Sequence, residues 1–233
     1  MMMTDWRQFP ERPHLDKGEC QLWQACLDEE DPGAFWGLLS EDERIRAGRL
    51  RVSRGADRFT VGRGILRTLL GRYLSTSPDR LVFSYGPHGK PSLAAGLQKQ
   101  LSFNVSHSGS LAVFAVAKGF DVGVDVEEIQ SVGDLEATAS IFLSPDELAE
   151  FEAMPPGRKL ERFFTLWTCK EAILKALGFG FTSPIKDILA TFYISDQGEH
   201  GHNAAFENKR LTELNLSEGF KGALACLQPL IKE

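Results

Sequence analysis

The sequence predicts an α+β protein made of two halves related by a pseudo-two-fold axis, each half an antiparallel sheet packed with one long helix. Apolar residues recur at helical spacing over 56–74 and again over 167–175, and short β-branched runs accompany both segments. The two helical segments resemble each other, since Gly64–Leu69 matches Ala172–Leu177 at an offset of 108 residues. Two similar helices, each with its own strands, favour two related layers of helix on sheet.

The similarity extends beyond the helices. The same offset pairs Phe59 with Trp167, Thr60 with Thr168, Leu81 with Leu189 and Tyr85 with Tyr193. Leu111–Ala117 also resembles 222–228 at an offset of 111. Repeats of this length are too long for solenoid units, and chance similarity between two amphipathic helices is the alternative. If the duplication is real, the chain divides into 1–120 and 121–233, with the ligand site in the cleft between them.

Turn residues and apolar periodicity place the other elements. The first forty residues contain one expected strand, at 20–27, and Ser40 is expected to cap a helix. The expected elements that follow are a helix at 56–74, strands at 81–85, 101–105, 111–117 and 122–126, and a turn at 86–89.

Composition indicates an ordinary globular protein. The 233 residues are 42% hydrophobic and 25% charged, which argues against disordered and fibrous structure. The longest apolar run, Leu111–Ala117, is too short to cross a bilayer, and no secretory signal is evident at the N-terminus. The four cysteines, Cys20, Cys26, Cys169 and Cys226, show no metal or redox spacing. We therefore expect a cytoplasmic protein with reduced thiols and no membrane partner.

Positive charge is concentrated in one segment of an acidic chain. The net charge is −6, yet 44–72 holds nine arginines against one acid, Asp57, and so carries +8. This concentration favours a local anion site rather than a nucleic-acid coat. Guanidinium groups suit bidentate contacts to phosphate. A solvated helix face is the alternative.

Two carboxylates in Gly123–Glu127 (GVDVE) suggest a metal site. Asp125 and Glu127 lie two residues apart on a predicted strand and so point to one face, whereas Glu128 points to the other. Because like charges on one face repel, a cation between them would stabilise the pair, and Mg²⁺ accepts a few carboxylates together with water and phosphate oxygens. A solvated strand surface is the alternative.

The helical segment 167–175 places Glu171 and Lys175 four residues apart, on one face. The carboxylate of Glu171 would complete a metal coordination shell, and the ammonium of Lys175 would neutralise a leaving phosphate. The alternative is an ordinary surface ion pair. The offset of 108 aligns Glu171 with Arg63 and Lys175 with Arg67. The position of the Arg63 cation in the first half would therefore carry a carboxylate in the second.

Two loops add further polar groups. Gly86–Pro91 (GPHGKP) is a glycine-rich turn that contains Lys90 but lacks the spacing of a P-loop. Asn104–Gly109 (NVSHSG) offers hydroxyls and an imidazole at the end of a strand. For His107, a hydrogen-bonded loop histidine is the alternative to a ligand contact.

The order of these motifs resembles the Sfp-type 4′-phosphopantetheinyl transferase family. The resemblance covers about 44–193 and rests on Gly89-Lys90-Pro91, the Asn-x-Ser-His-Ser-Gly motif at 104–109, Gly-Val-Asp-x-Glu at 123–127 and Trp-Thr-x-Lys-Glu-Ala-x-x-Lys at 167–175. Members have a pseudo-two-fold α+β fold, which agrees with the internal repeat. They move the phosphopantetheine arm of coenzyme A to a serine of an apo carrier protein and release adenosine 3′,5′-bisphosphate.

The resemblance also implies roles for single residues. The implied Mg²⁺ ligands are Asp125, Glu127 and Glu171. The implied coenzyme A contacts are Arg54, Arg58, Ser106 and His107 at the 3′-phosphate, Gly89, Lys90 and Pro91 at the adenine, and Lys175 at the pyrophosphate. Arg51 is the substitute for Arg54. The general base is Glu147 or Glu127, and a linking helix is expected over 145–152 and again from Lys159.

The implied partners are coenzyme A and an acyl or peptidyl carrier protein, with fatty-acid, polyketide and non-ribosomal peptide systems all open. Such carriers are acidic, so docking would depend on a local basic or hydrophobic patch, which the sequence does not locate. The length and the duplication favour a monomer. The competing hypotheses are a non-catalytic module that binds coenzyme A and a metal-dependent phosphohydrolase.

Overall fold

The computed structural model describes residues 3–87, 89–94, 101–179 and 209–227. Its helices are α1 (Pro32–Trp36), α2 (Glu41–Gly48), α3 (Ser53–Tyr73), α4 (Leu135–Phe142), α5 (Pro145–Glu152) and α6 (Pro156–Leu177). Its strands are β1 (Thr4–Asp5), β2 (Cys20–Cys26), β3 (Phe83–Tyr85), β4 (Pro91–Leu93), β5 (Ser102–Ser108), β6 (Leu111–Ala117), β7 (Asp121–Glu128), β8 (Lys209–Glu213) and β9 (Phe220–Leu227).

The described strands form two main sheets and one short hairpin. The first sheet has the order β1-β2-β6-β5, the second has the order β7-β9-β8, and β3 pairs with β4. β1 runs parallel to β2, and the other described pairs are antiparallel. We call β1–β6 with α1–α3 the first unit, and β7–β9 with α4–α6 the second unit.

The two units share one connectivity. Each has a strand, a long helix and then two antiparallel strands: β2, α3, β5 and β6 in the first unit, and β7, α6, β8 and β9 in the second. In each sheet the last of these strands lies between the other two. This arrangement confirms the predicted α+β fold of two related layers.

β6 is buried on both faces and joins two of the three cores. Phe114 and Val116 belong to the core beneath α3. Val113, on the opposite face, packs with Val124 of β7 in a core between the two sheets. A third core lies between α6 and the second sheet. The continuous apolar run of β6 follows from this burial on both sides.

Most predicted boundaries lie within three residues of those in the structure. The long helix of the first unit begins at Ser53 rather than at 56, and α6 begins at Pro156 rather than at Lys159. The strand predicted from residue 81 starts only at Phe83, because a 3₁₀ turn ends at Arg80. The repeat partners Leu189 and Tyr193 lie outside the described residues.

Several arginines of the basic segment support the fold rather than bind an anion. The Nε of Arg67 lies 2.7 Å from Oε2 of Glu43, and its Nη1 donates to the carbonyl oxygens of Pro78 and Leu81, both at 2.9 Å. Arg67 and Glu43 are each 1% exposed. Arg72 donates to a backbone carbonyl 63 residues away along the chain. The prediction of a single anion site over 44–72 is therefore wrong for these residues, because buried tertiary contacts occupy them.

No helix in the described part of the chain is both long and apolar enough to cross a membrane.

Candidate active site

Side chains of β5 fasten it to β7, the neighbouring edge strand of the second unit. The bonds run from the Val124 N–H to Asn104 Oδ1 at 2.9 Å, from Ser106 Oγ to Asp125 Oδ1 at 2.9 Å, and from Ser108 Oγ to Glu127 Oε2 at 2.7 Å. Alternate residues of a strand share a face. Asn104, Ser106 and Ser108 occupy every second position of β5, so all three side chains point toward β7. The hydroxyl motif and the carboxylate motif of the sequence therefore form one polar seam between the two units.

Gly123 allows α6 to lie directly against β7. A Cβ at this position would be 2.1 Å from the carbonyl oxygen of Ala172, a distance that no side chain tolerates. Asp125 and Glu127 share the strand face of Gly123 and so point toward the helix. The glycine of the GVDVE motif is thus explained by close helix–strand packing, which brings both carboxylates to α6.

The ammonium group of Lys175 lies in the polar seam. Its Nζ is 2.6 Å from Oδ1 of Asp125 and 3.0 Å from Oγ of Ser106. Glu171, one turn earlier on α6, lies within electrostatic range of both Asp125 and Lys175. The partner of Lys175 is therefore a buried carboxylate on β7, and the alternative of a simple surface pair with Glu171 is wrong.

The three candidate carboxylates all carry a raised pKa. Burial is the main cause for Asp125, and Lys175 and Ser106 offset part of it. Burial also raises the pKa of Glu127, opposed by the Ser108 hydroxyl. The pKa of Glu171 rises through burial and the negative charge of Asp125. Three acids that each resist ionisation are typical of a functional site.

The residues present suit a hard divalent cation. Oδ2 of Asp125 is buried and has no hydrogen-bond partner, and the nearby donors of Glu127 and Glu171 are carboxylate oxygens, which Mg²⁺ prefers. In the part of the chain that the structure describes, no three His, Cys, Asp or Glu side chains are already grouped as a metal site. The ammonium of Lys175 supplies the positive charge next to Asp125 instead.

Cations gather around His107 at the end of β5. Desolvation by the surrounding protein and the charges of Lys175, Arg58 and Arg46 lower the pKa of His107, although its side chain still reaches solvent. A neutral imidazole among three cations offers a hydrogen bond without adding to their repulsion. Arg46 belongs to the arginine segment, but no motif in the sequence marks it as a site residue, because its proximity to His107 is a tertiary property.

Asp28 holds two of the predicted phosphate ligands. Its carboxylate accepts from Nε and Nη2 of Arg58 at 2.7 and 2.8 Å, and from Nη2 of Arg54 at 2.5 Å. These contacts hold the pKa of Asp28 far below its usual range. The described bonds use one edge of the Arg58 guanidinium, which leaves Nη1 for another acceptor. No motif in the sequence pointed to Asp28.

The predicted adenine contacts lie where the two units meet. Lys90 donates from Nζ to the carbonyl oxygen of Lys175 at 2.5 Å and to that of Val122 at 3.3 Å. Burial lowers the pKa of Lys90. Gly89 has a φ of +78°, the left-handed conformation that a tight turn before Pro91 requires. The roles of these residues toward a ligand stay predictions.

Glu147 makes structural contacts within the second unit. It is the third residue of α5 and forms a capping box with Ser144, whose N–H donates to Oε2 of Glu147 at 2.8 Å. Nζ of Lys170 lies 2.6 Å from the same oxygen. The side chain of Glu147 is thus bonded to Ser144 and Lys170, whereas Glu127 bonds to Ser108 in the polar seam. Its role as general base remains a prediction that this geometry does not favour.

Comparison with known proteins places the chain in a family. Residues 22–119 match the family model described as 4′-phosphopantetheinyl transferase, N-terminal, and residues 121–219 match that of the 4′-phosphopantetheinyl transferase superfamily. The chain is 39% identical over 183 residues to the 4′-phosphopantetheinyl transferase HetI of Nostoc sp., with 77% of each chain covered. It is 26% identical over 205 residues to a 4′-phosphopantetheinyl transferase of Bacillus subtilis, covering 86% of this chain and 87% of the relative.

A shorter match involves the transferase AcpT of Salmonella typhi, 40% identical over 112 residues, which covers 48% of this chain and 56% of the relative. Together with the two-unit fold and the polar seam, these similarities define an enzyme of the transferase class. The chain belongs to the 4′-phosphopantetheinyl transferase superfamily.

Proposed function

We propose that the protein transfers the 4′-phosphopantetheine group of coenzyme A to a serine of an apo acyl or peptidyl carrier protein and releases adenosine 3′,5′-bisphosphate. This proposal rests on two clusters of opposite charge that lie next to each other at the polar seam between β5 and β7. Carboxylates face Lys175 on one side, and cations surround His107 on the other. A ligand with a diphosphate and a separate phosphate monoester fits both.

The cationic end suits the 3′-phosphate. We propose that Arg58 and His107 bind it, with Arg46 in support. The predicted contact from Ser106 is not favoured, because its hydroxyl donates to Asp125 on the other face of β5. Arg54 is held by Asp28 at the same place, whereas Arg51 is exposed and has no described contact there. Charge-assisted bonds from guanidinium groups to phosphate are among the stronger hydrogen bonds in proteins. Gly89, Lys90 and Pro91 would then lie beside the adenine.

The carboxylate end suits the pyrophosphate. Asp125, Glu127 and Glu171 would hold Mg²⁺, and the unpartnered Oδ2 of Asp125 supports this. The cation, when bound, would neutralise the diphosphate and the charge that develops on the leaving group. The ammonium of Lys175 would stabilise the same charge from the α6 side, so positioning and electrostatics account for most of the catalysis.

Glu127 is the better placed of the two candidate bases. It lies in the seam beside Asp125, and its pKa is raised, which favours proton uptake near neutral pH. The serine hydroxyl of the carrier would give its proton to Glu127, its oxygen would bond to the phosphorus that bears pantetheine, and the phosphoanhydride bond would break. The electron pair of that bond leaves with adenosine 3′,5′-bisphosphate.

We further propose that the chain divides near residue 120, with the active site between the two parts, and that it acts as a cytoplasmic monomer. The bonds from Ser106 to Asp125 and from Lys90 to Lys175 cross this division. The four cysteines carry no disulfide, as is usual in a reducing compartment. Light scattering after size exclusion would test the monomer.

The deciding experiment incubates several apo carriers with the protein, coenzyme A and Mg²⁺ and measures carrier mass. We expect the mass of one phosphopantetheine to be added, and Asp125→Ala or Glu171→Ala to slow the transfer by about 10²–10³-fold. Glu152→Ala, an exposed acid on α5, is the matched control. Binding of coenzyme A without transfer would favour a non-catalytic module, and release of inorganic phosphate would favour a phosphohydrolase.

A further inference from the structure

An exposed apolar surface surrounds the connection between α2 and α3. Val52 is 66% exposed and Ile45 is 49% exposed, and Leu50 and Trp36 are nearly as open. These are four of the eight large apolar side chains that are exposed in the described part of the chain. Single exposed apolar residues are ordinary, but a group within seventeen positions marks an interaction surface.

Positive charge borders this apolar surface. Arg49, Arg51 and Arg54 are exposed, and no acidic residue occurs between Arg44 and Ala56. Arg44 contacts Trp36, with its Nε donating to the backbone oxygen at 3.2 Å. We call Trp36, Ile45, Leu50 and Val52, with Arg49 and Arg51, the α2–α3 patch. The patch is strongly basic although the whole protein carries a charge of −6.

The α2–α3 patch lies beside the candidate active site. It leads directly into the first turns of α3, where Arg54 and Arg58 bind Asp28. Arg58 is in turn within electrostatic range of Glu128, the residue that follows Glu127 on β7. The edge of a macromolecule bound to the α2–α3 patch would therefore lie beside the polar seam.

We propose that the α2–α3 patch is the docking surface for the acidic carrier protein, an inference that rests on the proposed function. An apolar centre with a guanidinium border matches a helical surface that presents apolar residues among carboxylates. A second copy of this chain fits less well, because a symmetric contact would bring each basic patch against itself. Charge complementarity thus selects an acidic partner.

The test uses two variants of the full chain, the double variant Leu50→Glu with Val52→Glu, and the single variant Arg49→Glu. Each should lower kcat/KM for the carrier by about tenfold or more at saturating coenzyme A, chiefly through KM. The KM for coenzyme A should change by less than about twofold, since none of the three residues is placed at the ligand. Wild-type kcat/KM for the carrier should also fall as ionic strength rises.

Ile141→Glu and Arg158→Glu are the matched controls. Ile141 on α4 is 60% exposed and Arg158 on α6 is exposed. Both lie in the second unit, whereas every residue of the α2–α3 patch lies in the first. These controls should retain wild-type kcat/KM for the carrier. Unchanged melting temperatures would show that the exposed substitutions leave the fold intact.

Three results would overturn the docking proposal. The first is wild-type transfer with unchanged kcat/KM for the carrier in both variants, which would leave the proposed function standing. The second is a wild-type dimer that Val52→Glu dissociates, which would assign the patch to a second copy. The third is no transfer by the wild-type protein to any carrier, which would remove the proposed function and this inference together.

Discussion

Both units contain a capping box whose glutamate is bound by a cation of the long helix, but the residues that form it differ between them. In the first, Ser40 and Glu43 form a capping box at the start of α2, and Arg67 of the following long helix binds Glu43. In the second, Ser144 and Glu147 form the box of α5, and Lys170 of α6 binds Glu147 at 2.6 Å. The boxes are 104 residues apart and the cations 103. By role, Arg67 therefore corresponds to Lys170, and its predicted correspondence with Lys175 at an offset of 108 is wrong.

The units differ on the strand that faces the long helix. Residues Trp23 and Ala25 of β2 pack into the apolar core beneath α3, whereas β7 presents Asp125 and Glu127 to α6. Burying carboxylates costs stability unless they are paired. The strand face beneath α3 is thus apolar, whereas the corresponding face of β7 carries two carboxylates beside an otherwise apolar core, which marks β7 as part of the candidate site.

The largest expected effect separates Glu127 from Glu147. Glu127→Gln should reduce the transfer rate by about 10²–10⁴-fold, because it removes the proposed base and one of the proposed Mg²⁺ ligands. Glu147→Gln should keep the transfer rate of the folded protein within about threefold of wild type, since glutamine also serves in a capping box. Its effect should fall on stability, because Lys170 loses the carboxylate that it binds. Single-turnover transfer to a carrier measures both. A large loss for Glu147→Gln with intact stability would restore it as the base and break the analogy with Glu43.

Arg67→Met should act on stability and not on catalysis. It removes the closer of the two arginines that neutralise the buried Glu43 and leaves Arg63 at 3.5 Å from Oε1. Removing one member of a buried ion pair costs up to about 3–5 kcal/mol. Urea unfolding measures the loss, and KM for coenzyme A should stay unchanged in the folded fraction. A changed KM without a stability loss would contradict the structural role of this pair.

Glu171→Gln should stabilise the protein while slowing transfer by about 10²–10³-fold. The raised pKa of Glu171 means that its charged form destabilises the fold, so wild-type stability falls as pH rises through that pKa. Glutamine does not titrate, so the melting temperature of Glu171→Gln should exceed that of wild type by about 2–4 °C at pH 8. The difference should vanish near pH 4.

The same variant tests the cation. Mg²⁺ should raise the melting temperature of the wild-type protein by linkage, and it should raise that of Glu171→Gln much less. An equal rise in both proteins would show that Glu171 does not contribute to cation binding.

The smallest effect concerns Asp28 in the first unit. Asp28→Asn weakens the bonds that orient Arg58, so KM for coenzyme A should rise about threefold to tenfold with kcat nearly unchanged. The preference for coenzyme A over 3′-dephospho-coenzyme A should fall by the same factor. A lower KM in the variant would instead mean that the Asp28 carboxylate competes with the phosphate.

Local patterns in the sequence predicted much of the fold. The strand of Leu111–Ala117 coincides with β6, because an apolar run acts through neighbours in sequence. The helix that the family resemblance implied over 145–152 coincides with α5. Placing Asp125 with Glu127 followed from strand alternation alone. The repeat was detected one helical turn out of register, because apolar helix faces match almost as well after a shift of four residues.

The sequence by itself determined the two-unit plan, the family and the residue types of the site, since periodicity and motif order are properties of the chain. Only the tertiary structure decided that Asp28 binds Arg58, that Lys175 reaches Asp125, and that Lys170 binds Glu147. These contacts join residues 23 to 50 positions apart. Long-range pairing of charges depends on how strands and helices approach in space, and at β7 that approach depends on a glycine without a side chain.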